Sequence, residues 1–194
     1  GLTVEDIAGI FTNAGFFDGD ASKFLELNRT GKGLESFTFL PFNKTGLRYV
    51  TEGYLFPDTY EFYADASPSA VVTRMLNRFY EMYDEDCRTR AKALGMSMDQ
   101  VMALASLIER EARVEEDFAK VSAVFHNRRN SGMKLESCAS LSYVLGEKKY
   151  TFTEAETETD SLYNTYKYAG LPPGPICCPG KTALTAALNP NPDY

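Results

Sequence analysis

The stretch "LASLIEREARVEED" (residues 104–117) decides how this sequence is interpreted. Its apolar residues recur at helical spacing and lead into two carboxylates, Glu109 and Glu111, that lie one residue apart. At about 100° per residue, a helix over residues 98–113 places these glutamates on opposite flanks of its apolar face. The centre of that face comprises Val101, Leu104, Ala105, Ile108 and Ala112. The stretch therefore predicts a core helix with one acid on either side.

The two glutamates differ in their predicted surroundings. Glu109 has Arg113 four residues further on, which predicts an ordinary surface ion pair. Glu111 instead has apolar side chains one and two turns back and Glu115 one turn ahead. Apolar neighbours and a nearby like charge both favour a protonated carboxylic acid, which is the form that general-acid chemistry on a glycosidic oxygen requires. Glu111 is therefore the better acid, although a partly exposed structural glutamate would give the same pattern.

Length and charge restrict the class of protein. A chain of 194 residues suffices for one sizeable core, or for a catalytic domain with a small appendage. Its formal net charge of -7, with no basic stripe, argues against a nucleic-acid binder. No apolar run is long enough to span a bilayer and no signal peptide is present. Because the chain starts and stops abruptly, we expect it to be a fragment of a longer protein.

Cysteine and histidine usage predicts no metal site and no cofactor. The four cysteines form no C-x-x-C pair and the chain contains a single histidine, so structural zinc is not expected. Buried free thiols are the simpler interpretation. A disulfide between Cys138 and Cys177 is the alternative, and it requires an oxidising compartment.

The pattern along the chain predicts an α+β fold that is mainly helical, with a few short strands. Two short helices are expected within residues 1–30, followed by aromatic-rich strands and turns over residues 34–63. One long core helix should run from Ser67 towards Gly95, followed by helices over 98–113 and about 116–130. Residues 133–180 should be irregular, and a last helix should cover 181–188.

The aromatic-rich segment permits two interpretations. Tyr54 and Tyr60 alternate with other rings and stand close to Asp58 and Glu61. They can be core residues, or some of them can line a cleft in which rings stack on sugar faces. The sequence by itself leaves both possibilities open.

Five separated motifs resemble one family, the YceG-like endolytic murein transglycosylases. They are "EGYLFPDTYEF" (52–62), "LASLIEREA" (104–112), "VFHNRRNSGMKLES" (124–137), "YNTYKYAGLPPGPI" (163–176) and "PGKTALTAALNP" (179–190). They occur in the family's order. The resemblance implies a helical, lysozyme-like catalytic domain over residues 51–194, truncated at its C-terminus. Residues 1–50 resemble, more weakly, part of the family's LysM-like segment.

The resemblance also implies a function. It implies a single-pass membrane protein, anchored upstream of residue 1, whose catalytic domain faces the extracytoplasmic side. The implied substrate is peptidoglycan, cut within glycan strands between N-acetylmuramic acid and N-acetylglucosamine, and penicillin-binding proteins of the synthesis machinery are implied partners. The family's catalytic glutamate is the second Glu of an E-[KR]-E triplet, which is Glu111 here. The helical wheel selects the same residue.

The implied mechanism needs one carboxylate. Glu111 protonates the leaving oxygen and then accepts the proton of the muramic acid C6 hydroxyl, which attacks C1 and closes a 1,6-anhydro ring. Because water is not the nucleophile, the two-carboxylate geometry of hydrolytic glycosidases is unnecessary, and the intramolecular hydroxyl benefits from proximity. Two alternatives stay open: a muramidase-type hydrolase with Asp58 or Glu61 as the second acid, and a non-catalytic peptidoglycan-binding module.

Substrate contacts are expected from several segments. Asn164 is expected to donate to an N-acetyl group between walls formed by Tyr163 and Tyr166. Glu136 and Ser137 come from "KLESCAS", which departs from the family's commoner "LQSDPT". There Glu136 replaces Gln and Cys138 replaces Asp, so a role of that Asp does not carry over. The predicted substrate-binding set is Tyr54, Asp58, Tyr60, Glu136, Ser137, Tyr163, Asn164 and Tyr166.

Overall fold

The chain is described by a computed structural model that covers residues 1–147, 149 and 151–194. Its secondary structure is helical. The helices are α1 (Val4–Asn13), α2 (Ser22–Thr30), α3 (Pro68–Met82), α4 (Glu85–Ala93), α5 (Met98–Glu111), α6 (Glu115–Asn130), α7 (Cys138–Leu145), α8 (Glu154–Thr157) and α9 (Lys181–Leu188). Among the described residues, the only β pairing is an isolated antiparallel bridge between Leu2 and Cys178.

Local capping explains where several of the helices begin. The Thr3 side chain accepts from the backbone N–H of Asp6 while the Asp6 side chain accepts from that of Thr3, which closes a capping box at the start of α1. Ser97 and Gln100 make the same reciprocal pair at the start of α5, as the sequence predicts. Gly31, with φ of 67°, ends α2 in the left-handed region.

Helix α5 is the centre of the molecule. Every residue from 101 to 108 is buried, so its apolar surface extends beyond the single face that the wheel predicts. It packs against α6, α7 and α9. The C-terminal end of α5, which carries Glu109 and Glu111, is where this buried helix reaches the surface. The buried part of α5 therefore holds the two glutamates in fixed positions at the surface.

The strands predicted for residues 34–63 are wrong. This segment consists of successive turns and an extended stretch without a partner strand. Alternating aromatic residues favour a pleated surface only where a neighbouring strand can accept backbone hydrogen bonds. Here the side chains of Leu40, Tyr49, Tyr54 and Leu55 are instead buried against the helices.

Two further helix predictions need correction. The long helix expected from Ser67 to Gly95 is two helices, because Asp84 accepts a hydrogen bond from the Cys87 backbone N–H and caps α4. The irregular region predicted after residue 132 contains α7 and the single turn α8. Helix α7 has the short sequence "CASLSYVL", in which small polar residues conceal the helical period.

One hydrophobic core joins the first 50 residues to the rest of the chain. Val4, Phe24 and Leu34 belong to the same buried cluster as Leu104 and Leu184. The LysM-like assignment of residues 1–50 stays a prediction. None of the four cysteines, all of which lie in the described ranges, forms a disulfide, so the alternative Cys138–Cys177 pairing is not formed. Within residues 1–147, 149 and 151–194, no helix is long and apolar enough to cross a membrane.

Candidate active site

Glu111 is the last residue of α5 and reaches the N-terminal turn of α7. Its Oε1 accepts a hydrogen bond from the Ser137 hydroxyl at 2.5 Å and one from the Ala139 backbone N–H at 3.3 Å. Helix α5 ends here because Ala112 has an extended backbone, so Glu115 begins the next helix and does not lie one turn ahead.

Glu111 lines an open cavity of about 270 Å³. The lining residues are Glu109, Arg110, Glu111, Cys138, Ala139, Ser142 and Lys149. A second cavity of about 130 Å³ shares Arg110, Ala139 and Ser142, so the two are contiguous along α7. Together they reach the lower end of the roughly 300–1,000 Å³ typical of ligand sites. The arrangement gives a substrate direct access to a positioned carboxylic acid.

A buried polar network holds Ser137 in place. The Ser137 backbone N–H donates to the Thr165 hydroxyl at 2.9 Å, and the Ser140 hydroxyl donates to the Ser137 carbonyl at 2.9 Å. The hydroxyls of Ser140 and Thr165 lie 2.8 Å apart. Fully satisfied buried networks are rigid. The motif at residues 163–176 therefore supports the site through Thr165, a residue that sequence reasoning does not select.

Tyr166 and Glu136 lie near Glu111, and their contact with substrate stays a prediction. The Tyr166 hydroxyl is 3.1 Å from the Cys138 thiol, which lines the cavity. Burial raises the pKa of Tyr166, and the hydrogen bond to Cys138 and the negative charges of Glu111 and Glu136 raise it further. Glu136 has a φ of 51° and an exposed side chain, which forms an ion pair with Arg128 at 2.9 Å. Of the two departures from the family motif, Cys138 lines the cavity and Glu136 is not among its lining residues.

Asn164 and Tyr163 do not face the cavity. Asn164 is completely buried, and its amide nitrogen donates to the carbonyls of Thr157 at 2.9 Å and Thr159 at 2.8 Å. Both amide hydrogens are therefore used inside the protein, which corrects the expected contact with an N-acetyl group. Tyr163 is buried with its ring 5.0 Å from that of Tyr143. Neither residue is among those that line the cavity at Glu111.

The predicted aromatic cleft is separate from Glu111. Tyr54 is fully buried and donates to Asp99 at 2.8 Å, at the opposite end of α5. Twelve residues separate Asp99 from Glu111, a distance of roughly 18 Å along the helix. Asp58 and Tyr60 line another cavity, of about 590 Å³, which shares no residue with the one at Glu111. For Tyr54, the core interpretation is therefore the observed one.

Asp58 is held as a carboxylate. The backbone N–H of Thr59 and the Arg78 guanidinium, 2.7 Å away, lower its pKa. Tyr60 donates to the carbonyl of Phe56, and burial raises the pKa of Tyr60 to about 12. Neither side chain is available at Glu111.

The observed contacts of Glu109 differ from the predicted ion pair. Instead of pairing with Arg113, its two oxygens accept from the Gly1 amino group at 2.9 Å and from the Gly180 backbone N–H at 3.1 Å. The reason is that α5 ends at Glu111, so Arg113 is not one helical turn ahead. Glu109 therefore links α5 to the start of α9.

Arg110, Ser142 and Lys149 complete the cavity, and sequence reasoning did not find them. Arg110 lies between the two glutamates in the sequence, and the pattern there drew attention only to the acids. Ser142 lies in helix α7, which the sequence did not predict. Lys149 forms an ion pair with Glu156 at 2.5 Å. Only the packing of α7 against α5 places these residues together.

This arrangement, a buried helix that ends in one carboxylic acid at an open groove, defines a helical domain with a single candidate acid. Comparison with known proteins identifies the family of the chain. The sequence profile of the YceG-like family matches residues 1–194. A crystal structure of a YceG-like protein from Listeria monocytogenes superposes with a TM-score of 0.88 at 30% identity, covering 97% of this chain and 64% of that one. The chain therefore belongs to the YceG-like family.

Two relatives carry the name endolytic murein transglycosylase. The Bacillus subtilis (strain 168) protein is 37% identical over 151 residues, and the Streptococcus pneumoniae (serotype 2, strain D39) protein is 33% identical over 155 residues. Each match covers 77% of this chain. The chain spans only 41% and 28% of the lengths of these relatives.

Proposed function

We propose that this chain is the catalytic part of a lytic transglycosylase that cuts peptidoglycan within its glycan strands. The observation that carries the proposal is the position of Glu111, whose Oε1 is held by Ser137 and the Ala139 backbone N–H at an open cavity. The names of the relatives support the same reaction class.

The chemistry assigned to Glu111 uses one carboxyl group as acid and then as base. As an acid it protonates the glycosidic oxygen between N-acetylmuramic acid and N-acetylglucosamine, and the bond to C1 breaks. As a carboxylate it accepts the proton of the muramic acid C6 hydroxyl, whose oxygen bonds to C1. The product is a 1,6-anhydro end and Glu111 is protonated again. Ser137 orients the carboxyl in both halves of this cycle.

The surroundings of the other acids favour this reaction over hydrolysis by two carboxylates. Glu109 shares the cavity, but its Oε2 accepts a hydrogen bond from the Gly180 backbone N–H. Asp58 and Glu61, the two candidates for the second acid of the muramidase alternative, line a different cavity, and Asp58 forms an ion pair with Arg78. An inverting or retaining hydrolase needs its two carboxyl groups on opposite sides of one bond, roughly 5–9.5 Å apart. An intramolecular hydroxyl nucleophile removes that need.

The substrate and location follow as parts of the same proposal. Peptidoglycan lies outside the cytoplasmic membrane, so we infer that the domain works on the extracytoplasmic side, anchored by a segment of a longer protein. Penicillin-binding proteins, which make the glycan strands, are the partners we expect. No cofactor takes part in the proposed reaction.

The decisive experiment is digestion of purified sacculi with the wild-type chain and Glu111→Gln, with products identified by mass spectrometry. We expect the wild type to release ends that are one water lighter than reducing ends, and the variant to release none while keeping its circular dichroism spectrum. Glu115→Gln makes the same chemical change at an exposed position four residues away and serves as the control.

Three results would contradict the proposal. Reducing ends from the wild type would indicate a hydrolase. Undiminished product from Glu111→Gln would remove its catalytic role. Binding of sacculi without any product from either protein would indicate a non-catalytic module.

A further inference from the structure

Glu52 is an acidic residue buried in the core. Only 1% of its surface is exposed, and among the described residues no lysine or arginine forms an ion pair with it. Its Oε1 accepts from the Val4 backbone N–H at 3.1 Å, and its Oε2 accepts from the Tyr143 hydroxyl at 3.2 Å. A charge buried without a partner is costly, so the acid stays protonated near neutral pH. Burial raises its pKa to about 8 in spite of these two donors.

Tyr143 connects Glu52 to the candidate active site through α7. Tyr143 lies four residues after Ala139 on α7, so both residues lie on one face of that helix. At one end of this face, the Ala139 backbone N–H contacts Glu111, and at the other the Tyr143 hydroxyl contacts Glu52. Helix α7 is therefore held between two carboxyl groups.

Other groups around Glu52 define what else can titrate there. Arg48 stacks over the Tyr143 ring at 5.4 Å and pairs with Glu5 at 3.0 Å. The Arg48 charge lowers the pKa of Glu52 and that of Glu5 raises it, both less than burial does. The remaining titratable neighbours are Tyr143, Tyr163, Cys177 and Cys178, and burial raises the pKa of each of them. These four groups therefore stay neutral over the pH range in which Glu52 ionises.

We propose that Glu52 is a positioning residue for Glu111: its protonated carboxyl keeps Tyr143 and α7 packed, and loss of its proton to solvent opens that packing. The opening follows because an ionised Glu52 must gain water, and α7 together with the start of α1 covers it. Once α7 moves, Ser137 and Ala139 no longer hold the Glu111 carboxyl. The catalytic consequence rests on the proposed function.

The first test is the pH profile of sacculus cleavage by the wild type and Glu52→Gln. One pH unit above a pKa of about 8, only about a tenth of Glu52 is protonated, so wild-type activity should fall about tenfold by pH 9. Gln is neutral at every pH, and its alkaline decline should move to higher pH. Glu26→Gln, the same change on an exposed face of α2, is the control and should keep the wild-type profile. An unchanged decline in Glu52→Gln would overturn the proposal.

The second test measures the packing of α7 directly and does not depend on enzyme activity. Hydrogen exchange of the amides in residues 138–145, corrected for intrinsic rates, should accelerate in the wild type between pH 7 and pH 9 and stay slow in Glu52→Gln. Tyr143→Phe cuts the link to Glu52 and should give fast exchange already at pH 6. Corrected exchange independent of pH in the wild type, or unaffected by Tyr143→Phe, would refute the link between Glu52 and α7.

The two tests separate the two proposals. If the wild type releases no product at any pH, the proposed function fails, while the exchange measurement still decides the role of Glu52. If Glu52→Gln does not fold, the exchange measurements on Tyr143→Phe and on the wild type still test the role of Glu52.

Discussion

Replacing Glu52 with Gln should remove a pH dependence of folding stability that the wild type shows. The folded pKa of about 8 lies above the ordinary value of 4.5, so the unfolded chain releases its proton first as the pH rises. The stability associated with this group is therefore fully present below about pH 4.5 and is lost progressively up to pH 8. At about 1.36 kcal/mol for each pH unit, the loss is about 3 kcal/mol at pH 7 and about 5 kcal/mol above pH 8.

Glutamine is a close substitute for the protonated acid. Its carbonyl can accept from the Val4 backbone N–H. Its amide can donate to the Tyr143 hydroxyl oxygen, so the two groups stay bonded although the direction of this second hydrogen bond is reversed. It has no proton to lose over this range. The difference in stability between the variant and the wild type should therefore grow with pH in favour of Glu52→Gln.

Urea unfolding at pH 5, 6, 7 and 8 measures this difference. Both proteins should show the same m value, and the midpoint of the variant should exceed that of the wild type increasingly with pH. A difference of about 3 kcal/mol at pH 7 corresponds to roughly 6–12 °C in Tm for a chain of this size. Parallel stability curves for the two proteins, or a gap that widens towards acid pH, would refute the reasoning.

Four further outcomes are expected. Ser137→Ala removes the 2.5 Å hydrogen bond to Glu111, so initial cleavage rates should fall roughly 10- to 100-fold, from about 1.5–3 kcal/mol; an unchanged rate would deny Ser137 its orienting role. Leu107→Ala empties a completely buried site and should lower the free energy of unfolding by about 2–5 kcal/mol in urea, so a loss below 1 kcal/mol would contradict the packing. Asn164→Ala leaves two carbonyls unpaired and should lower the free energy of unfolding by about 1–3 kcal/mol, as measured by thermal denaturation. Weaker glycan binding at unchanged stability would instead support a contact between Asn164 and the substrate. Burial lowers the pKa of His126, so wild-type stability should fall as the pH drops below 6.5, and His126→Gln should lack this decline.

Much of the helical framework could be predicted because its signals are local. Thr3 and Ser97 mark helix starts through capping boxes that involve only the next three residues, and Gly31 marks an end through its own backbone angle. The choice of Glu111 over Glu109 also came from residues nearby in sequence and from a family motif of three residues. Whether Glu111 is catalytic stays a prediction.

The errors arose where distant residues compete with local preference. The aromatic residues of 34–63 have strand propensity, but no second segment lies beside them to complete a sheet, and burial against helices prevails. Tyr54 and Asn164 show the same effect at the level of single residues: each looked suited to binding sugar, and each has its polar atoms bonded inside the protein.

The sequence by itself determined the capped starts of α1 and α5 and the presence of an acid at the end of the central core helix, because these depend on spacing within a few turns. Only the tertiary structure decided what surrounds that acid. Ser137 contacts Glu111 across 26 residues, and Tyr143 contacts Glu52 across 91. Such contacts arise from how α7 packs on the core, and that packing minimises exposed apolar surface for the whole chain at once, which no single stretch of sequence encodes.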